Sequence, residues 1–260
     1  MYKKILILFI IIVIYLLFNN NKTYTLCLLV ICKNESMVIE EFIEHYLWQG
    51  VEHIYIIDNG STDDTKEKIK KYSEYITYYY KPEQHKQVDH YNDVYNQIKN
   101  KTKWLIIPDV DEYIYNKNKD KNIYDYIITL NSSKVSSIQL NWNMFGSSGY
   151  INHPESIRKS FIWRQNGFHE LQKAIISTSL TKSLGVHHHD HKKNGEIIEN
   201  PSELQLNHYA IMSEEYFRKV KMTRGDVHHS DQKFQNIRDM NYFNSYDFKE
   251  VMDEELKNLI

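Results

Sequence analysis

The stretch WLIIPDVDEYIY, residues 104–115, sets three carboxylates, Asp109, Asp111 and Glu112, between two apolar runs. The first run reads as a buried strand that ends in negative charge. Carboxylates gathered there repel one another and are costly to desolvate, and a nearby cation would offset both costs. Asp109 and Asp111 alternate along the chain, so on extended backbone they face one side, and a slight bend turns both toward one ion. Hard oxygen ligands suit Mg²⁺ or Mn²⁺, which commonly bind through few protein carboxylates plus substrate phosphates. An acidic turn or a capping cluster gives the same composition, so these residues alone leave both readings open.

Upstream of this stretch the hydrophobic pattern alternates between strand and helix. Residues 25–31 are β-like and apolar. Residues 35–49 form an amphipathic helix with Val38, Phe42 and Tyr46 in one stripe, stopped by Gly50. Residues 53–57 are a second strand, 58–61 a turn, and Thr62 or Asp63 can cap a helix reaching residue 72. Residues 76–80 are a third strand; Val88, Tyr91, Val94, Tyr95 and Ile98 mark the next helix; residues 103–107 are a fourth strand. This order predicts an α/β fold, a mostly parallel sheet flanked by helices. In such sheets ligands bind at the carboxyl ends of the strands. Lys33, Asn34 and Glu35 follow the first strand, Asp58 and Asn59 the second, and the acidic cluster the fourth, so three separate loops converge on one edge. Beyond residue 115 the periodicity weakens; residues 135–140 and 174–177 read as strands, and 213–221 as a helix capped by Ser213.

The chain has 260 residues and a net charge of -2, so no global field draws it to nucleic acid. It shows no internal repeat, Pro-rich linker or second domain boundary. Cys27 and Cys32 stand five apart on one strand, on opposite faces, and are read as buried thiols and not as a disulfide. Lys3 and Lys4 precede an apolar run, residues 5–18, of roughly 21 Å as a helix, short of the ~30 Å hydrocarbon core. Snorkelling lysines and local thinning can cover that mismatch, and no small-residue cleavage site follows. The expectation is a cytoplasmic tail at 1–4, an uncleaved transmembrane signal-anchor at 5–18, a short stem at 19–24 and one folded domain at 25–260. That makes a single-pass type II membrane protein with a lumenal or exoplasmic domain. The glycan-acceptor patterns at Asn34, Asn59, Asn100 and Asn131 cut against a glycosylating lumen, because a glycan on Asn34 or Asn59 would block the converging loops.

Other motifs carry two readings each. Asp58 can accept hydrogen bonds from a ribose or a base, or simply complete a turn. Trp142 and Phe145, ahead of Gly146 and Gly149, suit sugar stacking or a hydrophobic hairpin. The run from His187 to His191 is better read as a loop with one functional histidine than as a zinc cluster, because adjacent side chains diverge. His208 fits a satisfied core histidine, His228 and His229 a surface, and Lys66, Lys68, Lys70 and Lys71 a solvated helix face.

Taken in order, these blocks resemble a glycosyltransferase of the GT-A fold, more narrowly family 92 and its family-2-like relatives. The blocks are Val30 with Lys33-Asn34-Glu35; His45-Tyr46 and Gly50 through Asp63; Gln87 to Asn92-Asp93; Pro108-Asp109-Val110-Asp111-Glu112-Tyr113; Trp142 to Gly149; Lys173-Ala174-Ile175; and Asn207-His208-Tyr209 through Arg224-Gly225. The resemblance spans roughly residues 25 to 226. It implies a membrane-anchored, Mn²⁺- or Mg²⁺-dependent transferase, expected to be inverting. The donor would be a nucleotide sugar, UDP-linked by expectation, and the acceptor a glycan or other hydroxyl. Asp109 and Asp111 would hold the metal, with His208 preferred over His188 or His189 as the third ligand. Lys33, Asn34, Glu35, Asp58, Asn59, Asn92 and Asp93 would bind the nucleotide sugar, and Trp142 and Phe145 the acceptor. No Glu-Asp pair stands where family 2 places its base, so Glu170 is the expected catalytic base. A catalytically silent sugar-binding relative is the alternative. A nucleotidyltransferase or hydrolase would call for a Gly-rich phosphate loop, which the sequence lacks.

Overall fold

The structure is a computed structural model that describes residues 23–192, 195–223 and 238–260. The expected tail, the signal-anchor at 5–18, most of the stem, and Arg224, Gly225, His228 and His229 lie outside the described residues. Among the described residues, no helix is long and apolar enough to cross a membrane.

The main sheet has nine strands: β1 Tyr24–Cys32, β2 His53–Asp58, β3 Ile76–Tyr80, β4 Thr102–Ile106, β5 Glu112–Asn116, β6 Val135–Met144, β7 Gln172–Ser177, β8 Glu196–Glu199 and β9 Leu204–His208. The helices are α1 Ile39–Trp48, α2 Thr65–Lys70, α3 Gln87–Ile98, α4 Ile123–Ile127, α5 Ile157–Ser160, α6 Glu214–Tyr216 and α7 Met240–Tyr246. A π-helical turn, Phe217–Lys221, continues α6, and Ser213 caps α6 by accepting the Tyr216 N–H.

Strand order is β3-β2-β1-β4-β7-β6-β9-β5, with β8 on the first half of β6. The first four strands are parallel, as their alternation with helices predicts. Burial on both faces explains why β1 is apolar throughout. Leu26, Leu28 and Val30 pack in one core with Ile39, Phe42, Ile43 and Tyr46 of α1. Cys27 and Leu29 pack in the other with Tyr91, Val94, Tyr95 and Ile98 of α3. Each such side chain contributes about 1.5–3 kcal/mol when fully buried. Both cysteines are buried thiols not joined in a disulfide, as their spacing requires. Gly50 ends α1 at φ +83, where a Cβ would stand 2.6 Å from that of Tyr124.

Beyond β4 the sheet becomes mixed. β7 runs antiparallel to both β4 and β6, and β9 pairs parallel to β6 and antiparallel to β5. β5 is the terminal strand of the order, and α1 occupies its outer edge. His45 Nε2 donates to the Ile114 carbonyl at 2.7 Å. The Tyr46 hydroxyl donates to the Glu112 carbonyl at 2.9 Å and accepts the Ile114 N–H at 3.2 Å. Gln49 Oε1 accepts the N–H groups of Asn116 at 3.0 Å and Ile123 at 3.2 Å. One helix face thus closes an edge that would otherwise expose unpaired backbone groups, and it fixes the strand that begins with Glu112.

Gln49 is fully buried, so its replacement strands two backbone donors. Gln49→Leu is expected to lower unfolding free energy by at least about 2 kcal/mol in urea titration, against under about 0.5 kcal/mol for exposed Gln97→Ala. Equal effects would mean that the helix does not hold this edge.

Candidate active site

The carboxyl ends of β1, β2, β4, β6 and β9 meet the first residues of antiparallel β7 at one edge of the sheet. A cavity of about 560 Å³ opens there, with Lys33, Glu35, Asn59, Asp109, Asp111, Trp142 and His208 in its wall. These expected site residues come from five separate strand ends.

The loop after β1 is pinned from below. Asn34 adopts φ 54, a left-handed conformation that asparagine tolerates. Its N–H donates to Ser61 Oγ at 2.9 Å, and its Oδ1 accepts the Thr62 N–H at 2.8 Å. Glu35 is buried, donates its N–H to Thr65 Oγ1, and accepts the Tyr216 hydroxyl at 2.7 Å. Lys33 Nζ donates to Gln84 Oε1, whose amide donates to the Asn59 carbonyl. Asp58 turns both oxygens inward, to the Ser61 N–H and the Tyr78 hydroxyl. Asp58 and Asn34 therefore shape the nucleotide-side loops, while Lys33, Glu35 and Asn59 face the cavity.

The acidic residues form a turn and not an extended strand end. The Glu112 N–H donates to the Asp109 carbonyl at 3.0 Å, and the Glu112 side chain returns to accept the Asp109 N–H at 2.7 Å. Two buried lysines face this turn. Lys173, the second residue of β7, is 1% exposed, and its Nζ lies 2.8 Å from Asp109 Oδ2 and 3.6 Å from Glu112 Oε2. Lys221, at the end of the π-helical turn, is 3% exposed and donates to Asp111 Oδ2. His208 Nε2 stands 3.6 Å from the same oxygen. Burial alone would raise the Asp109 carboxyl, but Lys173 overrides it and holds it below the usual range. Burial likewise opposes ionisation of Asp111, yet Lys221 and His208 hold it well below that range. Glu112 behaves differently. Burial and the two aspartates push it well above the usual range despite Lys173, and its Oε1 has no hydrogen-bond partner.

Across the cavity Trp142 anchors a cluster of rings. His208 lies 4.2 Å from it, and His169 and His187 each lie 5.3 Å away. Trp142 Nε1 and His208 Nδ1 are buried without a hydrogen-bond partner. Tyr242 and Tyr246 of α7, stacked at 4.5 Å, complete the wall.

Other expected residues stand elsewhere. Phe145 is buried in the core, against Tyr209. Asn92 clamps the backbone of Leu184 from both sides, positioning the loop that carries His187 instead of reaching the cavity. Asp93 is an exposed partner of Lys81. Glu170 is exposed, and only its neighbours His169 and Leu171 line the wall. His188 is exposed and His189 accepts the Gly185 N–H, so His208 is the histidine beside the acidic turn. Sequence reasoning placed Lys173 in a family block without giving it a role, and did not single out Lys221, His169, Tyr242 or Tyr246. A lysine opening an apolar strand was the one available signal.

Comparison with known proteins agrees with the order of motifs. The family model described as Glycosyltransferase family 92 matches residues 22–258. A family 92 protein of Ricinus communis is 26% identical, over 78% of this chain and 38% of its own length. One of Arabidopsis thaliana is 25% identical, over 75% of this chain and 36% of its own. The chain thus spans under two fifths of these relatives. Among solved structures, S. aureus TarS 1-349 in complex with UDP is 17% identical, at a TM-score of 0.42, over 60% of this chain and 47% of that one.

Removing Lys173 leaves Asp109 and Glu112 without their buried cation. Because the Asp109 side chain keeps about a third of its surface open to solvent, Lys173→Met is expected to destabilise the fold by about 1–3 kcal/mol in chemical denaturation. Adding Asp109→Asn to it should restore part of that loss; strictly additive losses would mean that the pair is not coupled.

Proposed function

We propose a sugar-transfer reaction on one premise: the chain belongs to glycosyltransferase family 92. The donor is a nucleotide sugar, UDP-linked in this reading, and the acceptor is a hydroxyl of a glycan or similar molecule. The observation that carries the proposal is the convergence of the β1 loop, the acidic turn and His208 on one cavity. This is the edge at which a GT-A domain, the fold read from the sequence, would hold its donor.

The donor set fits a divalent ion. Two carboxylates and an imidazole are hard to intermediate ligands for Mn²⁺ or Mg²⁺, and the 3.6 Å between His208 Nε2 and Asp111 Oδ2 suits neighbouring positions around one ion. Among the described residues, no three His, Cys, Asp or Glu groups stand close enough together to hold such an ion as they are, so Asp109, Asp111 and His208 would have to draw in around it. Asp109, Asp111 and His208 would hold the ion, which supplies Lewis-acid neutralisation of the departing diphosphate.

The chain's own residues do the rest. The loop from Lys33 to Glu35, with Asn59, receives the nucleoside. Lys173 and Lys221 keep the aspartates ionised and add positive charge where the leaving group develops negative charge. Trp142 supports the sugar face and shields His208. Glu170 does not reach this space. His187 in the wall has Nδ1 3.3 Å from the Gln172 carbonyl. The carbonyl can only accept, so Nδ1 donates in this contact, and His187 is the wall imidazole read here as proton acceptor for the hydroxyl.

Nucleotide release from a panel of UDP- and GDP-sugars, with Mn²⁺ and with chelator, tests the proposal. Release should need the metal and fall by about 10²-fold or more in Asp111→Asn. Metal-dependent UDP binding without release from any donor would favour a silent sugar-binding relative. No nucleotide binding at all would contradict the proposal.

A further inference from the structure

Lys173 and Lys221 each already hold one carboxylate oxygen, Oδ2 of Asp109 and Oδ2 of Asp111, of the two aspartates that would take an ion. We infer that these two lysines are resident counter-cations of the acidic turn, exchanged for a divalent ion only when a nucleotide diphosphate enters with it, so that metal and nucleotide bind cooperatively. This inference rests on the donor site proposed above.

The geometry carries it. Asp109 Oδ2 takes Lys173 Nζ at 2.8 Å, and Asp111 Oδ2 takes Lys221 Nζ. The two amines arrive from unrelated parts of the fold, the start of β7 and the π-helical turn after α6. Both are nearly fully buried, so neither charge can relax into water without its carboxylate. With Glu112 set aside, since burial and the two aspartates push its carboxyl well above the usual range, two aspartates and two ammonium groups sum to zero. A divalent ion alone would therefore leave two surplus positive charges in a space of low dielectric. A diphosphate alone would bring negative charge against carboxylates that are still in place. Together the two nearly cancel, and each displaced ammonium finds a phosphate oxygen as its new acceptor.

Lysine suits such an exchange. Its ammonium is a compact charge with three donors on a flexible stem, whereas the planar fork of arginine binds a carboxylate bidentately. Lys221 is also placed to sense the nucleotide side. Its Nζ lies 5.8 Å from the centre of the Tyr216 ring, and the Tyr216 hydroxyl donates to Glu35 in the β1 loop. Occupation of that loop and release of Lys221 thus share one side chain. Because binding free energies are linked, whatever UDP contributes to Mn²⁺ affinity, Mn²⁺ must contribute to UDP affinity.

Titration of the full chain with Mn²⁺, followed by the electron paramagnetic resonance of free Mn²⁺, tests this with and without UDP. In the wild type, UDP should tighten Mn²⁺ binding by about tenfold or more. Lys221→Gln removes the resident charge and should bind Mn²⁺ alone about tenfold more tightly than the wild type while losing most of the gain from UDP. Lys221→Arg keeps the charge and should resemble the wild type for Mn²⁺ alone. Unchanged or weaker Mn²⁺ binding by Lys221→Gln, or wild-type Mn²⁺ binding that UDP does not improve, would overturn the exchange while leaving the metal site standing. Mn²⁺ binding that survives Asp111→Asn, or no binding even with UDP, would overturn the metal site and the exchange with it.

Discussion

The ion pair between Asp109 and Lys173 stands where the ammonium could not remain alone, while the carboxylate keeps one side open to the cavity. The lysine is 1% exposed, on a strand whose following residues Ala174, Ile175 and Ile176 are all buried. Leaving one member of such a pair uncompensated costs several kcal/mol. The sheet has to deliver both at once. β4 must end where the acidic turn begins, and β7 must enter antiparallel beside it so that its first residues, not its last, meet that turn. A fifth parallel strand inserted beside β4 would place the far end of its sequence there. The reversal of direction at β7 is thus tied to the chemistry of the edge.

The same requirement explains the attention paid to β5. Glu112 opens that strand and folds back onto the Asp109 N–H, so any slip of β5 would open the turn. Antiparallel pairing with β9 fixes one side and sets His208 opposite Glu112. The side chains of His45, Tyr46 and Gln49 fix the other. α1 is therefore more than a cover for the first core: its apolar stripe packs on β1, and its polar edge holds the strand that carries the acidic turn. A single helix couples the parallel half of the sheet to the mixed half.

Much of this was legible in the sequence, and the reasons differ by region. β1 to β4, α1 and α3 are buried on definite faces, and periodicity located them to within a few residues. The convergence of Lys33, Glu35, Asn59 and Asp111 followed from parallel-sheet topology alone. β5 was hidden because acidic residues precede it and its partners lie some 90 residues away. Lys173 was visible in a family block, but its role was hidden, because a lysine's burial depends on a partner that only the tertiary structure supplies. Trp142 and Phe145 look alike in sequence, two aromatics before a glycine loop. One lines the cavity and the other packs under it, a difference set by the pairing of β6 with β9. Glu170 drew notice as a carboxylate in a suitable region, but the backbone holds it outward while His169 and Leu171 face in.

If the cavity at the carboxyl edge is the donor site, the acidic turn lies at its reactive end. Crystals of the chain grown with Mn²⁺ and UDP, examined for anomalous scattering, address this directly. The account predicts one Mn²⁺ peak between Asp109, Asp111 and His208, bonded to the diphosphate, with the nucleoside against the loop from Lys33 to Glu35. A nucleotide bound elsewhere, or an acidic turn still closed by both lysines with the diphosphate in place, would contradict it.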